Sequence, residues 1–172
     1  MSATRSARPL FVAIASSVNR GLVSRQSPGC RSAQVRVVAQ LYADFACEAV
    51  LSEPGCDTRH QLVDQPARVL SRYFDEPLIR LWLADRACAK RTHEICKLDF
   101  APMWDSQDPT GTFVRILTTP GVTAVNVELL SHRPSSVSRV IGYTLVETPA
   151  GWRIHNMSKG TEWSLVALLS GK

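Results

Sequence analysis

Several things are missing from this chain, and each absence excludes something. No apolar run approaches the roughly 18 residues that a spanning helix requires, so no transmembrane segment is expected. No serine sits in Gly-x-Ser-x-Gly, there is no Gly-rich phosphate loop, and no His-Glu-x-x-His occurs. Those gaps remove the hydrolase elbow, the nucleotide cradle and the metalloprotease helix as readings. There is no Cys-x-x-Cys, and His93 is the only imidazole near the cysteines, which argues against zinc. Acidic residues are absent from residues 1–36, although six arginines lie there: Arg5, Arg8, Arg20, Arg25, Arg31 and Arg36. The remaining 14 basic and 15 acidic residues leave residues 37–172 with a net charge of −1. The basicity therefore belongs to the leader, and no clustered Lys/Arg face for nucleic acid is expected on the domain.

What is present divides the 172 residues into a leader, 1–36, and one domain, 37–172. The leader flanks a short apolar run, "PLFVAIASSV", with arginines, in the manner of a secretory signal. Asn19 and Arg20 cut the run short, and its Arg- and Ser-rich, acid-free composition also suits a transit peptide or a disordered tail. The domain keeps four cysteines, Cys47, Cys56, Cys88 and Cys96. An even number in a short exported domain suggests disulfides, and short intervening loops favour Cys47–Cys56 and Cys88–Cys96. Four buried free thiols are the alternative. A periplasmic or secreted location follows from leader and cysteines together.

Apolar periodicity sets the fold class. "VVAQLYADFACEAVL" (37–51) places Val38, Leu41, Tyr42, Phe45, Ala46 and Ala49 on one helical face. Pro66 suits the first turn of a second helix, capped near Asp64 or Gln65, with Leu70, Tyr73 and Phe74 facing the core. Pro77 is expected to break or restart it, and "EPLIRLWLADRACAK" continues with Leu78, Leu81, Trp82 and Asp85 on one face. After residue 110 the period drops to two. "TFVRILTT", "VTAVNVELLS", "SRVIGYTLVET" and "GWRIHNMSK" read as strands, with a tight turn at "TPAG" and a longer one at "SHRPSS". "TEWSLVALLSGK" reads as a closing helix capped by Thr161 or Ser158. The expected class is α+β: N-terminal helices on a curved antiparallel sheet of about four strands, cone-like, with a short C-terminal helix.

The chemistry-bearing stretch is "CKLDFAPMWDSQDP" (96–109). Asp99, Asp105 and Asp108 could supply oxygen to calcium, but they lack the alternating spacing of a known loop. Short Asp and Gln side chains between prolines more often bond nearby backbone N–H groups and fix a turn. The structural set is therefore Asp99, Pro102, Trp104, Asp105, Gln107 and Asp108, with Trp104 as a core plug or a partner anchor. Asp85, Asp99, Tyr42 and Tyr143 are the candidates for acid–base work, and no spacing makes any two converge. His155 beside Arg153 reads as a surface or satisfied core histidine. His60, His93 and His132 share no motif.

The residues Asp99, Phe100, Pro102, Gln107 and Asp108 form a pattern with the "Gly-Trp-basic-Ile" of Gly151, Trp152, Arg153 and Ile154. Ser164, Leu165 and Leu168 extend it. Over residues 37–172 this resembles a bacterial family, domain of unknown function 3828, within the nuclear-transport-factor-2-like, cystatin-like cone superfamily. The resemblance implies a small exported bacterial protein without established catalysis, metal or cofactor. Related cone domains include enzymes, immunity proteins against secreted toxins and binding modules, so fold does not settle function. The expectation is a non-enzymatic protein-binding module whose partner is a protein, in its sharpest form a secreted toxin. The alternative is a cone-fold small-ligand-binding protein or isomerase-like enzyme. The sequence does not fix the oligomeric state.

Overall fold

The computed structural model describes residues 10–12, 32–50, 61–117, 124–131 and 138–171. Ser32 starts the helical layer: its side-chain oxygen accepts the Val35 N–H at 3.3 Å, satisfying a donor that every helix start leaves orphaned. Helix α1, Ala33–Asp44, buries Val35, Val38, Leu41 and Tyr42. It begins before the expected boundary at residue 37 because of that cap. It also ends sooner than residue 51: a tighter 3-10 turn, Ala46–Ala49, follows and carries Glu48 into the interior.

A second 3-10 turn, Leu62–Asp64, precedes the four-residue helix α2, Ala67–Leu70. Pro66, not Asp64 or Gln65, occupies the cap position of α2, and no side chain bonds the cap. Helix α3, Glu76–Thr92, is the longest. Asp75 caps it by accepting the Leu78 N–H at 3.1 Å. Pro77 falls in its first turn, where the missing N–H costs nothing, so it begins this helix rather than interrupting it. Leu70, Tyr73, Phe74, Leu78 and Trp82 are all buried. His93 ends α3 in a left-handed conformation, φ 59°, and donates its N–H to the Ala89 carbonyl.

The period-two segments form an antiparallel meander: β2 (Thr112–Leu117), β3 (Val125–Ser131), β4 (Arg139–Thr148) and β5 (Gly151–Lys159). Two short strands flank it, β1 (Leu10–Val12) against β2 and β6 (Trp163–Ser164) against β5. Three residues of the expected leader are thus paired to the sheet. Alternation places Val114, Ile116, Val125, Val127, Leu129, Ile141, Tyr143 and Leu145 on the buried face, against the helices. Pro149 and Ala150 make the two-residue turn between β4 and β5, and Gly151 follows at φ 95°, where a side chain would strain. The "SHRPSS" turn lies outside the described residues beyond Ser131.

A bulge between Thr144 and Leu145 leaves His155 without a cross-strand partner. Next to it, Ile154 donates to the Tyr73 carbonyl at 2.7 Å and accepts the Asp75 N–H at 3.0 Å. The helical layer is therefore hydrogen-bonded directly to β5. Helix α4, Leu165–Ser170, is capped by Ser164, which accepts the Ala167 N–H at 3.4 Å. Neither expected cap serves: Ser158 is paired with Ser164 across β5 and β6, so the helix starts only after that pairing ends. The architecture is α+β: after the short β1 come the helices, and then the rest of an open antiparallel sheet. Among the described residues no helix is long and apolar enough to cross a membrane.

Candidate functional site

Aromatic side chains fill the space between the buried face of the sheet and the helices. Tyr143 donates its hydroxyl to Tyr42 at 2.8 Å, and Tyr42 donates to the Met103 carbonyl at 2.5 Å. Trp104 meets the Tyr42 ring edge-on at 5.2 Å. All three side chains are buried. Burial raises the Tyr42 phenol well above its ordinary range, with Tyr143 adding to the effect, and burial likewise raises Tyr143. Two of the acid–base candidates do converge, but as a satisfied hydrogen-bonded pair in the core.

The open site lies outside this core. Trp82, Asp85, Arg86 and Ala89 recur on one face of α3. Opposite them runs the 94–109 segment, with Ile95, Leu98, Asp99, Phe100, Gln107 and Pro109. The Leu62–Asp64 turn contributes Val63 and Asp64, and Glu48, whose carboxylate accepts the Leu62 N–H, also lines the cleft. The cleft measures about 490 Å³, within the roughly 300–1,000 Å³ typical of ligand sites. Among the described residues four carboxylates (Glu48, Asp64, Asp85, Asp99) and one guanidinium (Arg86) line it. Arg86 is already engaged with the Gln65 carbonyl at 2.6 Å.

Two polar atoms on the α3 wall have no hydrogen-bond partner: Trp82 Nε1 and Asp85 Oδ1. Trp82 is 1 % exposed and Asp85 is 9 % exposed. An unpaired buried donor or acceptor costs about 1–3 kcal/mol. Trp82 and Asp85 stand on one face of α3 and both line the cleft.

The far wall is held in place covalently and by local hydrogen bonds. Cys88 near the end of α3 is bridged to Cys96, with Cα atoms 6.1 Å apart. Cys47 is also disulfide-bonded; Cys56, the partner expected for it, lies outside the described residues. Glu48 ties three elements together, accepting the Leu62 N–H and, at 2.7 Å, the Trp104 indole N–H. Burial raises its carboxyl above the ordinary value, partly offset by those two donors. Glu48 was missed in the sequence, although it falls three residues after Phe45 on the apolar face, where a carboxylate needs a partner.

The remaining motif residues divide between turn and sheet. Asp99 is exposed and accepts a long hydrogen bond from Gln107, 3.5 Å. Asp108 accepts the Thr110 N–H at 3.1 Å. Asp105 adopts φ 49° and gathers the Trp163 indole N–H at 2.8 Å, the Lys159 ammonium at 3.0 Å and Arg139 at 3.9 Å. The three carboxylates weighed for calcium thus point to different partners, and no His/Cys/Asp/Glu group fit for a metal occurs among the described residues. Pro102 and Pro109 are buried at the two ends of the turn. On β5, Trp152 is half-buried, and Arg153 donates to the Ser71 and Trp152 carbonyls. His155 Nδ1 lies 2.5 Å from Asp75 Oδ2, so it braces the α3 cap. His93 caps α3, while His60 and His132 lie outside the described residues.

Comparison with known proteins returned no matching family model, no matching curated protein and no matching solved structure.

Proposed function

We propose that this chain is a non-enzymatic, extracytoplasmic binding module that engages another protein through the cleft between α3 and the 94–109 segment. The observation that carries the reading is the pair of unbonded atoms, Trp82 Nε1 and Asp85 Oδ1, on two residues that line an open, acidic cleft. Ile95, 70 % exposed, stands at the rim as an apolar contact for whatever docks there. The filled core supports a binding role over catalysis, because the phenol pair has no room for a substrate between its members. The Cys88–Cys96 bridge suits an oxidising compartment. Membership of the nuclear-transport-factor-2-like cone superfamily, by way of the domain-of-unknown-function family, remains part of this proposal, as does the immunity of a producing cell to a secreted toxin as its sharpest form.

A photo-crosslinking side chain at position 95 tests the reading in envelope extract. One stoichiometric adduct, competed by unlabelled protein but not by a variant with a blocked cleft (Ala89→Trp), is the expected result. Protein that crosslinks to nothing competable would sink it. The second reading, a small-ligand carrier, draws on the cleft volume alone and predicts a co-purifying small molecule instead.

A further inference from the structure

The protein-binding reading leaves open what the cleft recognises, and the chemistry of its walls narrows that. Asp85 Oδ1 lacks a donor, and three residues earlier on the same helical face Trp82 Nε1 lacks an acceptor. Around them the charge is one-sided. Among the described residues Glu48, Asp64 and Asp99 join Asp85, against the single guanidinium of Arg86, one N–H of which bonds the Gln65 carbonyl. Leu98 and Phe100 add apolar surface, and Ile95 extends it to the rim.

We infer that the cleft anchors a partner polypeptide by one basic side chain, a lysine or arginine, placed against Asp85. The inference rests on the protein-binding reading above. A cation satisfies the orphaned carboxylate oxygen and relieves the crowding of negative charge. A carbonyl oxygen of the same segment, directly or through one water, takes the Trp82 N–H. A neighbouring apolar side chain covers Ile95 and Phe100. A simple alkylamine offers only the first of these three features, and a peptide offers all of them. Trp82 and Asp85 line the cleft, yet neither orphan atom is open to water in the free protein, so binding requires both side chains to move. The terminal torsion of a carboxylate is soft, and a small turn of Asp85 brings Oδ1 forward. The wall opposite does not yield in the same way, because the Cys88–Cys96 bridge fixes the 94–99 segment to the helix it faces.

The test uses the whole chain, disulfides intact, and three probes: acetyl-lysyl-leucine amide, acetyl-arginyl-leucine amide and acetyl-norleucyl-leucine amide. The readout is the Trp82 indole N–H resonance, assigned with Trp82→Phe. At least one basic probe is expected to shift it saturably, binding about tenfold tighter than the norleucine probe, and Asp85→Asn is expected to remove that margin. Which of the two basic probes binds better separates ammonium from guanidinium recognition. Asp85→Asn should unfold no earlier than wild type, because Oδ1 accepts no hydrogen bond that the change could break; a marked loss of stability would make Asp85 a structural residue and overturn the inference. Equal binding of the norleucine probe would overturn it too, while leaving a protein-binding cleft in place. If no probe binds although position 95 still crosslinks one partner, the cation is wrong and the protein-binding reading survives. If both fail, the reading itself goes.

Discussion

Glu48 and Trp104 are both buried, and the carboxylate accepts the indole N–H at 2.7 Å across 56 residues of chain. The other carboxylate oxygen accepts the Leu62 N–H. One acidic side chain therefore joins the end of the first helical segment, the Leu62–Asp64 turn, and the core plug of the 96–109 stretch. Glu48→Gln offers one acceptor and one amide donor where two acceptors are needed, leaving a buried N–H facing a donor. The expected loss is about 1–3 kcal/mol of unfolding free energy, read by urea titration.

The same carboxyl has a pH signature. Burial raises its folded value above the ordinary 4.5. The folded state then holds the proton longer than the unfolded chain, so the slope of stability with pH is negative in that window. Linkage therefore moves the difference in stability between wild type and Glu48→Gln against wild type as pH rises from 4.5 through the raised folded value. A pH series of paired urea titrations reads it. A difference that moved in favour of wild type with rising pH would mean that the two donors outweigh burial.

All three tyrosines are shifted upward, which gives an alkaline prediction. Tyr73 is raised to about 12 by burial and by its hydrogen bond to Asp44. Tyr42 and Tyr143 are raised by burial as well. Folded protein should show no tyrosinate absorbance as pH passes 10, the value at which free phenol ionises. Each raised phenol contributes stability that is whole below pH 10 and is lost as pH climbs further. Tyrosinate absorbance and loss of helical circular dichroism should therefore rise together, in one cooperative step.

The helices and the sheet were legible where one period dominated. "GWRIHNMSK" is β5 residue for residue, and the buried alternation of Val125, Val127 and Leu129 is the one the sequence displays. Boundaries were lost where a side chain outside the apolar pattern decided them. Ser32 extended α1 backwards, Ser164 delayed α4, and Pro77 opened α3 instead of stopping it. The cleft was the least readable feature. Trp82 and Asp85 were placed correctly on one face of α3, but that face alone does not reveal whether an opposing segment satisfies it. Only the position of the 94–109 segment, more than a helical turn beyond in sequence, leaves them without partners.

Tyr42 and Tyr143 should respond unequally to losing their hydroxyls. Tyr143→Phe removes one donor and leaves Tyr42 bonded to the Met103 carbonyl. Tyr42→Phe removes the centre of the relay, stranding the Tyr143 hydroxyl and the Met103 carbonyl in a buried site. The first should cost about 1 kcal/mol and the second roughly 2–3 kcal/mol, since an unsatisfied buried group costs more than a lost bond. The double variant should cost less than the sum, because the two share an interaction. Additive losses would show that the hydroxyls act independently.

The Cys88–Cys96 bridge closes a loop of 8 residues' separation, for which loop-closure entropy gives about 2–3 kcal/mol. Paired serine substitution should lower stability by that order and also loosen the wall of the cleft. Amide exchange separates the two effects. Protection should fall most over residues 93–99, next to the lost bridge, and little in β4 and β5, whose pairing does not depend on it. Crosslinking from position 95 should weaken in the same variant while the fold persists, because Ile95 is carried by the segment that the bridge holds. Undiminished crosslinking would mean that the partner itself orders this segment, and that the bridge serves stability alone.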